Sequence, residues 1–303
     1  MKKVSIITVN FNQPKVTEEL LASIPDTGLE IIVVDNASKI DHTIDWRVKY
    51  PHVKFIRSEQ NLGFAGGNNL GIKAATGDYL FFVNNDTEFT IGLTNILVDV
   101  MGAHPEVGIV SPKIKYYADK SLIQYAGYTP MNFYTCRNSC IGLREKDMGQ
   151  YDHITGPTAY CHGAAMMVSK EAIEKAGPMN ENFFLYYEEV DWCEHIKKAG
   201  YQAWVCTDAL IYHKESTSVG KKSGLKEYFM NRNRMLFIRR NAPVFKIVIF
   251  YIYFILLVAP RNVFAYIKDK NYSFIPMLLK ATWWNFTNSK NSKNLGYMIN
   301  TIA

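Results

Sequence analysis

Three carboxylates fall within four positions of the stretch "YYEEVDWCEH", residues 186–195: Glu188, Glu189 and Asp191. The dipole of a helix start accounts for one or two acids there. Three, with few cations close by in sequence, repel one another and raise their pKa values, a condition that suits a general base. A second polar cluster ends the apolar run "YLFFV": Asn84, Asn85 and Asp86, followed by Thr87. A carboxylate flanked by amide oxygens suits a hard divalent cation that keeps several waters and bridges to phosphate oxygens. An Asx-type turn capping a helix near residue 90 is the alternative. His213 follows the apolar segment "ALIY" and reads either as a ligand or as a satisfied core group. Cys136, Cys140, His153, Cys161 and His162 match no common zinc spacing.

These residues need elements to hold them. "VSIITV" (4–9), "EIIVVD" (30–35), "VKFIRS" (53–58), "YLFFVN" (79–84) and "VGIVS" (107–111) read as buried strands. Helical segments are expected between them at 14–23, at 67–76 and at 90–103. Buried strands joined by helical crossovers predict an α/β fold with a mostly parallel sheet covered on both faces. Ligands then bind beyond the carboxyl ends of the strands. Those ends read "TVN", "VVDN", "RSEQN" and "VNND", which aligns Asn10, Asp35, Asn61 and Asn84 along one edge. The Gly-rich "NLGFAGGNNLG" (61–71) lacks both the dinucleotide spacing and the P-loop Lys-Ser/Thr pair. Its glycines permit a close backbone approach, and Asn61, Asn68 and Asn69 can hydrogen-bond a base or ribose. Loops or short antiparallel strands are expected over 115–160. "GAAMMVSKEAIEKAG" (163–177) predicts a strand and then a helix capped by Ser169 and ended by Gly177. A further helix runs to about Ala199, and a strand starts near Gln202.

The 303 residues are enough for one large domain, or a domain with an appendage. Five cysteines without a secretory signal predict a reduced, cytoplasmic setting with free thiols. Residues 220–303 carry 14 Lys and Arg against two acids, Glu227 and Asp269, whereas the rest of the chain is net −6. A basic tail on an acidic body points to an anionic partner. Its cations flank the apolar run "IVIFYIYFILLVA" (247–259) and form no polar basic face, which favours a membrane surface and argues against nucleic acid. Thirteen helical residues reach about 20 Å, short of the roughly 30 Å hydrocarbon core. Lys246, Arg261 and "ATWWNF" (281–286) suit a helix lying among headgroups, with a buried core helix as the alternative.

Together "SIITVNFNQ", "IIVVDNAS", "NLGFAGGNNLGI", "GDYLFFVNNDT", "GAAMMVSKEAI", "ENFFLYYEEVDWC" and "IYHKES" resemble the family 2 glycosyltransferases of GT-A fold. Within that family the likeness is nearest to the rhamnosyltransferase-like branch of bacterial surface-polysaccharide synthesis. It covers roughly residues 3–240. The resemblance implies inverting transfer of a sugar from a UDP- or dTDP-sugar donor to a hydroxyl of a glycan, helped by Mg²⁺ or Mn²⁺. It assigns Val9, Asn10, Asp35, Asn61, Gly66, Asn68, Asn84 and Asn85 to the nucleotide sugar, and Asp86 and His213 to the metal. Glu189 maps to the base, with Glu188 and Asp191 as supporting acids. Three positions depart from the family pattern: Glu189 and Asn180 stand where Asp is usual, and His195 stands where Arg is frequent. The expected division is a catalytic domain over 1–220, with a nucleotide half to about 111 and an acceptor half after it. A basic helical tail over 221–303 then rests on the inner face of the plasma membrane through residues 244–303, near a lipid-linked glycan acceptor. Two rivals are a catalytically inactive glycan-binding scaffold and a nucleotidyltransferase; "TVNFNQP" lacks the cation-rich loop that the latter needs.

Overall fold

Alternation along the strands explains the layering. In β1 (Val4–Asn10), Val4 and Ile6 enter one buried cluster while Ile7 enters the other, as a two-residue repeat requires. β2 (Glu30–Asp35) divides in the same way, with Val33 on the first side and Ile32 and Val34 on the second. The computed structural model describes residues 2–25, 28–215 and 223–299. The boundary expected between 220 and 221 lies outside them, as do residues 300–303 of the tail.

β3 (Val53–Arg57), β2, β1 and β4 (Tyr79–Val83) stand side by side, all parallel. β9 (Ala165–Ser169) then runs antiparallel between β4 and β6 (Val107–Tyr116). β10 (Gln202–His213) is parallel to β6, and the short β5 (Thr87–Phe89) closes the edge antiparallel to β10. Short antiparallel strands do appear in the irregular region: β7 (Ile123–Tyr125) on β6 and β8 (Thr155–Pro157) on β10.

α1 (Pro14–Ser23), α2 (Thr43–Lys49) and α4 (Leu93–Ala103) cover one face of the sheet. α3 (Gly63–Ala74), α5 (Lys170–Ala176) and α6 (Glu188–Lys198) cover the other. Ser169 caps α5 by accepting from Ala172 N, and Gly177 ends it at φ +82°. α2 has no counterpart among the sequence expectations. The helix expected over 90–103 starts only at Leu93, because Thr87–Phe89 pairs with β10 and Gly92 turns the chain at φ +79°.

The tail is helical from Gly224 to Thr287 apart from two short turns, and residues 288–299 form no regular element. α7 (Gly224–Asn241) is buried between the α/β body and α9 (Phe274–Thr287). The segment 247–259 is not a thirteen-residue element. It lies within α8 (Val244–Lys268), 25 residues and about 37 Å long. The expectation that it is too short for the roughly 30 Å hydrocarbon core is thereby corrected: by length and composition this helix can cross it. A π-helical turn at Phe254–Val258 precedes Pro260 and carries the helix past the missing amide donor. Phe250, Phe254 and Val258 anchor one face of α8 against Phe237 and Phe183, while Val248, Ile252 and Leu256 remain exposed.

Candidate active site

The sheet brings its polar termini to one edge, and the first group there is closed upon itself. Asn10 and Asp35 end the paired strands β1 and β2 and are both fully buried. Asn10 Nδ2 donates to Asp35 Oδ1 at 2.7 Å and to Ser38 Oγ, and its Oδ1 accepts from Thr17 Oγ1 at 3.0 Å. Asp35 also accepts from the Ser38 hydroxyl and pairs with Arg57. Asn85 joins through Thr17 at 3.0 Å. The side chains of Asn10 and Asp35 therefore build a floor and do not project into open space.

The Gly-rich turn behaves similarly. Asn61 Oδ1 accepts from Asn36 Nδ2, and Asn36 Oδ1 accepts from Leu62 N. Gly67 and Gly71 let α3 lie against Val9 and Ile7: a Cβ would come within 2.9 and 2.3 Å of their methyl groups. Gly66 faces Leu62 in the same sense, and Asn68 spends its amide on Phe64 O at 3.0 Å. Gly67 and Gly71 thus serve helix–strand contact, Gly66 and Asn68 stay within the start of α3, and Asn69 holds Met179 and Glu181.

The second group is open. Pairing of Thr87 with His213 sets Asp86 beside the imidazole, both less than a tenth exposed. His213 Nε2 lies 3.1 Å from Asp86 Oδ1, yet this oxygen makes no hydrogen bond because it stands off the line of a ring N–H. His213 Nδ1 meets Gln124 Oε1 at 2.8 Å, and with the proton on Nδ1 the Nε2 lone pair is free for a ligand. Two acceptors about 3 Å apart match adjacent ligands of a six-coordinate ion whose bonds are about 2.1 Å. The pair fits a hard divalent cation completed by phosphate oxygens and water. Among the described residues no group of three or more His, Cys, Asp or Glu could hold a metal, which disposes of the cysteine–histidine set.

Next to this edge opens a cleft of about 350 Å³, lined by Phe64, Asn84, Tyr128, His162, Glu188 and Glu189 among others. Glu189 is partly accessible there and packs on Gly163, where a Cβ would meet its Cγ at 3.5 Å. Burial raises its pKa. Glu188 is shifted further upward by burial and then by Glu189, and its Oε2 has no hydrogen-bond partner. Asp191 does not belong to this cleft. It lies on the far side of α6, where its Oδ1 accepts from Asn241 Nδ2 at 2.7 Å and Arg240 Nε at 3.2 Å. His195 sits beside it, and Asn180 caps the following 3₁₀ turn as an Asp would.

His162 was not singled out for this cleft by its sequence neighbourhood. Its Nδ1 accepts from Ala164 N at 3.0 Å, its ring stacks on Tyr128 and stands edge-on to His213. Burial, and then His213, push its pKa down to about 3, so the ring is neutral with its proton on Nε2. It reaches this edge because β9 runs opposite to β4, and an apolar run does not reveal its direction.

The sequence profile of glycosyl transferase family 2 matches residues 5–177. A low-salt glycan biosynthesis hexosyltransferase of Haloferax volcanii is 28% identical over 77% of this chain and 74% of its own length. An N-acetylglucosaminyl-diphospho-decaprenol L-rhamnosyltransferase of Mycobacterium tuberculosis is 23% identical over 71% of this chain and 77% of its own. Among solved structures, a mannosyltransferase from Pyrobaculum calidifontis in complex with GDP-Man and Mn²⁺ has a TM-score of 0.57 at 17% identity. That match covers 95% of this chain and 76% of the other, and it is a likeness of fold.

Proposed function

We infer that this chain, which belongs to glycosyl transferase family 2 and has the GT-A fold, transfers a sugar with inversion from a UDP- or dTDP-sugar to a hydroxyl of a lipid-linked glycan. The observation that carries this reading is a carboxylate with a raised pKa, Glu189, open to a sugar-sized cleft beside the unsatisfied Asp86–His213 pair. Residues 1–111 supply the nucleotide half, in which Asn84 lines the cleft and Val9, Asn61 and Asn85 stand with it on the donor side. Glu189 takes the proton of the acceptor hydroxyl as that oxygen attacks the anomeric carbon, and the nucleoside diphosphate departs from the opposite side. Glu188, the more strongly shifted of the two, keeps its proton while Glu189 ionises, and burial is what strengthens Glu189 as a base. Tyr128 and neutral His162 offer an aromatic wall and an N–H donor to the bound sugars. Mg²⁺ or Mn²⁺ on Asp86 and His213 would neutralise charge on the leaving diphosphate.

The decaprenol-linked substrate named for the mycobacterial relative supports a lipid-linked acceptor. GDP-mannose and Mn²⁺ in the mannosyltransferase support a nucleotide-sugar donor with a divalent ion. α8 and α9 fit a peripheral seat at the inner face of the plasma membrane. Only 17% of the most apolar stretch of α8 is buried, so packing within the protein does not account for its exterior. Val248, Ile252, Leu256, Leu279, Trp283 and Phe286 are all more than half exposed. Basic residues around them suit anionic headgroups. Flotation with phosphatidylglycerol vesicles should recover the protein, and the double variant Leu256→Ser, Trp283→Ser should stay behind. Equal recovery of the two would remove the membrane seat.

Thermal unfolding with UDP, dTDP, GDP or CMP, each with Mn²⁺ and again with EDTA, tests the transfer reading. A metal-dependent rise with UDP or dTDP is expected, about 2.7 kcal/mol at 100 times the dissociation constant. No response to any nucleotide would favour the inactive scaffold.

A further inference from the structure

The turn that delivers the two glutamates is held in an unfavourable shape. Phe184, Tyr186 and Tyr187 have φ of 64°, 71° and 73°, a region costing an L-residue roughly 1–2 kcal/mol each. Such backbone persists only where its surroundings over-determine it. One support is Phe64 N, which donates to Phe184 O at 2.7 Å. Gly63 makes this approach possible, because a Cβ there would lie 2.1 Å from that oxygen.

The other support comes from the tail. Asn233 of α7 donates through Nδ2 to the carbonyls of Phe183, Leu185 and Tyr186, each at 2.8 Å. Its amide cannot flip. Oδ1 accepts from Arg232 Nη1 at 2.7 Å, and a guanidinium only donates, whereas the three carbonyls only accept. Arg232 also donates to Asn182 O at 2.8 Å and lies 4.0 Å from the Trp284 ring of α9. It is fully buried, with Nε and Nη2 making no hydrogen bond. A buried guanidinium without a carboxylate destabilises a fold on its own account, so its place is explained by what it orients.

We propose that Asn233, oriented by Arg232, is a positioning residue that holds the 183–187 turn and thereby aims Glu188 and Glu189 into the cleft. The tail helices are then part of the catalytic machinery as well as a seat on the membrane, with Trp284, Arg232 and Asn233 linking α9 to the turn. This inference rests on Glu189 acting as the base.

Asn233→Ala removes the donor, Asn233→Asp sets an acceptor against three carbonyls, and Arg232→Lys keeps the charge while loosening the amide. Two measurements on the full chain decide the matter. Carbodiimide labelling of Glu188 and Glu189 against pH, read by mass spectrometry, needs no substrate. Hydrolysis of UDP-N-acetylglucosamine and dTDP-rhamnose with Mn²⁺ gives kcat and donor KM. Burial raises the pKa values of Tyr128, Tyr186 and Tyr187, and that of His162 is about 3, so these neighbours do not titrate with the glutamates.

Water reaching a loosened turn should move the labelling profile to lower pH. A misdirected base should lower kcat about 10²-fold with donor KM within about threefold. A folded variant with the wild-type labelling profile overturns the proposal, as does one that loses only melting temperature. Glu189→Gln separates the two readings: if it hydrolyses donor like the wild type, the base assignment fails, whatever Asn233 does. If it is inactive while the folded Asn233 variants keep their kcat, the positioning role alone fails.

Discussion

Asp35 and Asp86 stand on the same edge of the same sheet, one ending β2 and the other just past β4, and both are buried. Their surroundings differ. Asp35 has Asn10, Ser38 and Arg57 on its oxygens, and nothing about it is left unsatisfied. Asp86 has an oxygen with no hydrogen bond, set against an imidazole whose other nitrogen is already engaged. A buried charge with every partner in place is scaffold, since any ligand would have to displace bonds that already exist. A buried charge short of partners is stable only if something else completes it, or if its strain is used. Glu188 and Glu189 belong with Asp86 in this respect, because their protons are held by a shortage of solvent and partners.

The largest expected effect falls on the open side. Glu189→Gln should lower turnover about 10²- to 10⁴-fold and leave nucleotide binding intact, measured by steady-state kinetics beside a melting assay. The pH profile sharpens this. A raised carboxyl pKa keeps Glu189 protonated over more of the acid range, and only the ionised form accepts a proton. Wild-type turnover should therefore fall on acidification at a pH above the ordinary carboxylate range. An acid limb at the ordinary glutamate value would break the contrast with the satisfied carboxylates.

Asp86→Ala comes next. It should abolish the Mn²⁺-dependent stabilisation by nucleotide, about 2.7 kcal/mol at 100 times the dissociation constant. Without metal or nucleotide its melting temperature should stay level or rise, because an unpaired buried carboxylate has gone. Asp35→Ala should do the opposite and cost about 2 kcal/mol of stability in the unliganded protein. That figure is below the usual 3–5 for a broken buried pair because Arg57 is about one-third exposed. Equal losses from the two substitutions in plain buffer would dissolve the distinction between floor and open site.

The local parts of this architecture were legible in the residues. Apolar runs gave β1 to β4 and β6, Ser169 and Gly177 marked both ends of α5, and the polar strand tips announced the edge where the site lies. The acid cluster at 188–191 was visible, but its division was not. Glu188 and Glu189 face the cleft whereas Asp191 faces Arg240 and Asn241, since that choice depends on where α7 packs. Gly67 and Gly71 take their purpose from Val9 and Ile7, more than 50 residues earlier, which no local spacing reveals, whereas Asn68 and Gly66 engage Phe64 and Leu62 at the start of α3.

By itself the sequence determined what acts over a few residues: which segments bury both faces, where helices start and stop, and how charge divides between body and tail. Tertiary structure alone decided which polar groups found partners. The pairing of Thr87 with His213, the antiparallel entry of β9 that brings His162 to the cleft, and the reach of Asn233 back to residues 183–187 all join positions tens of residues apart. Hydrogen bonds and desolvation depend on such neighbours within about 3 Å, and no spacing along the chain encodes them.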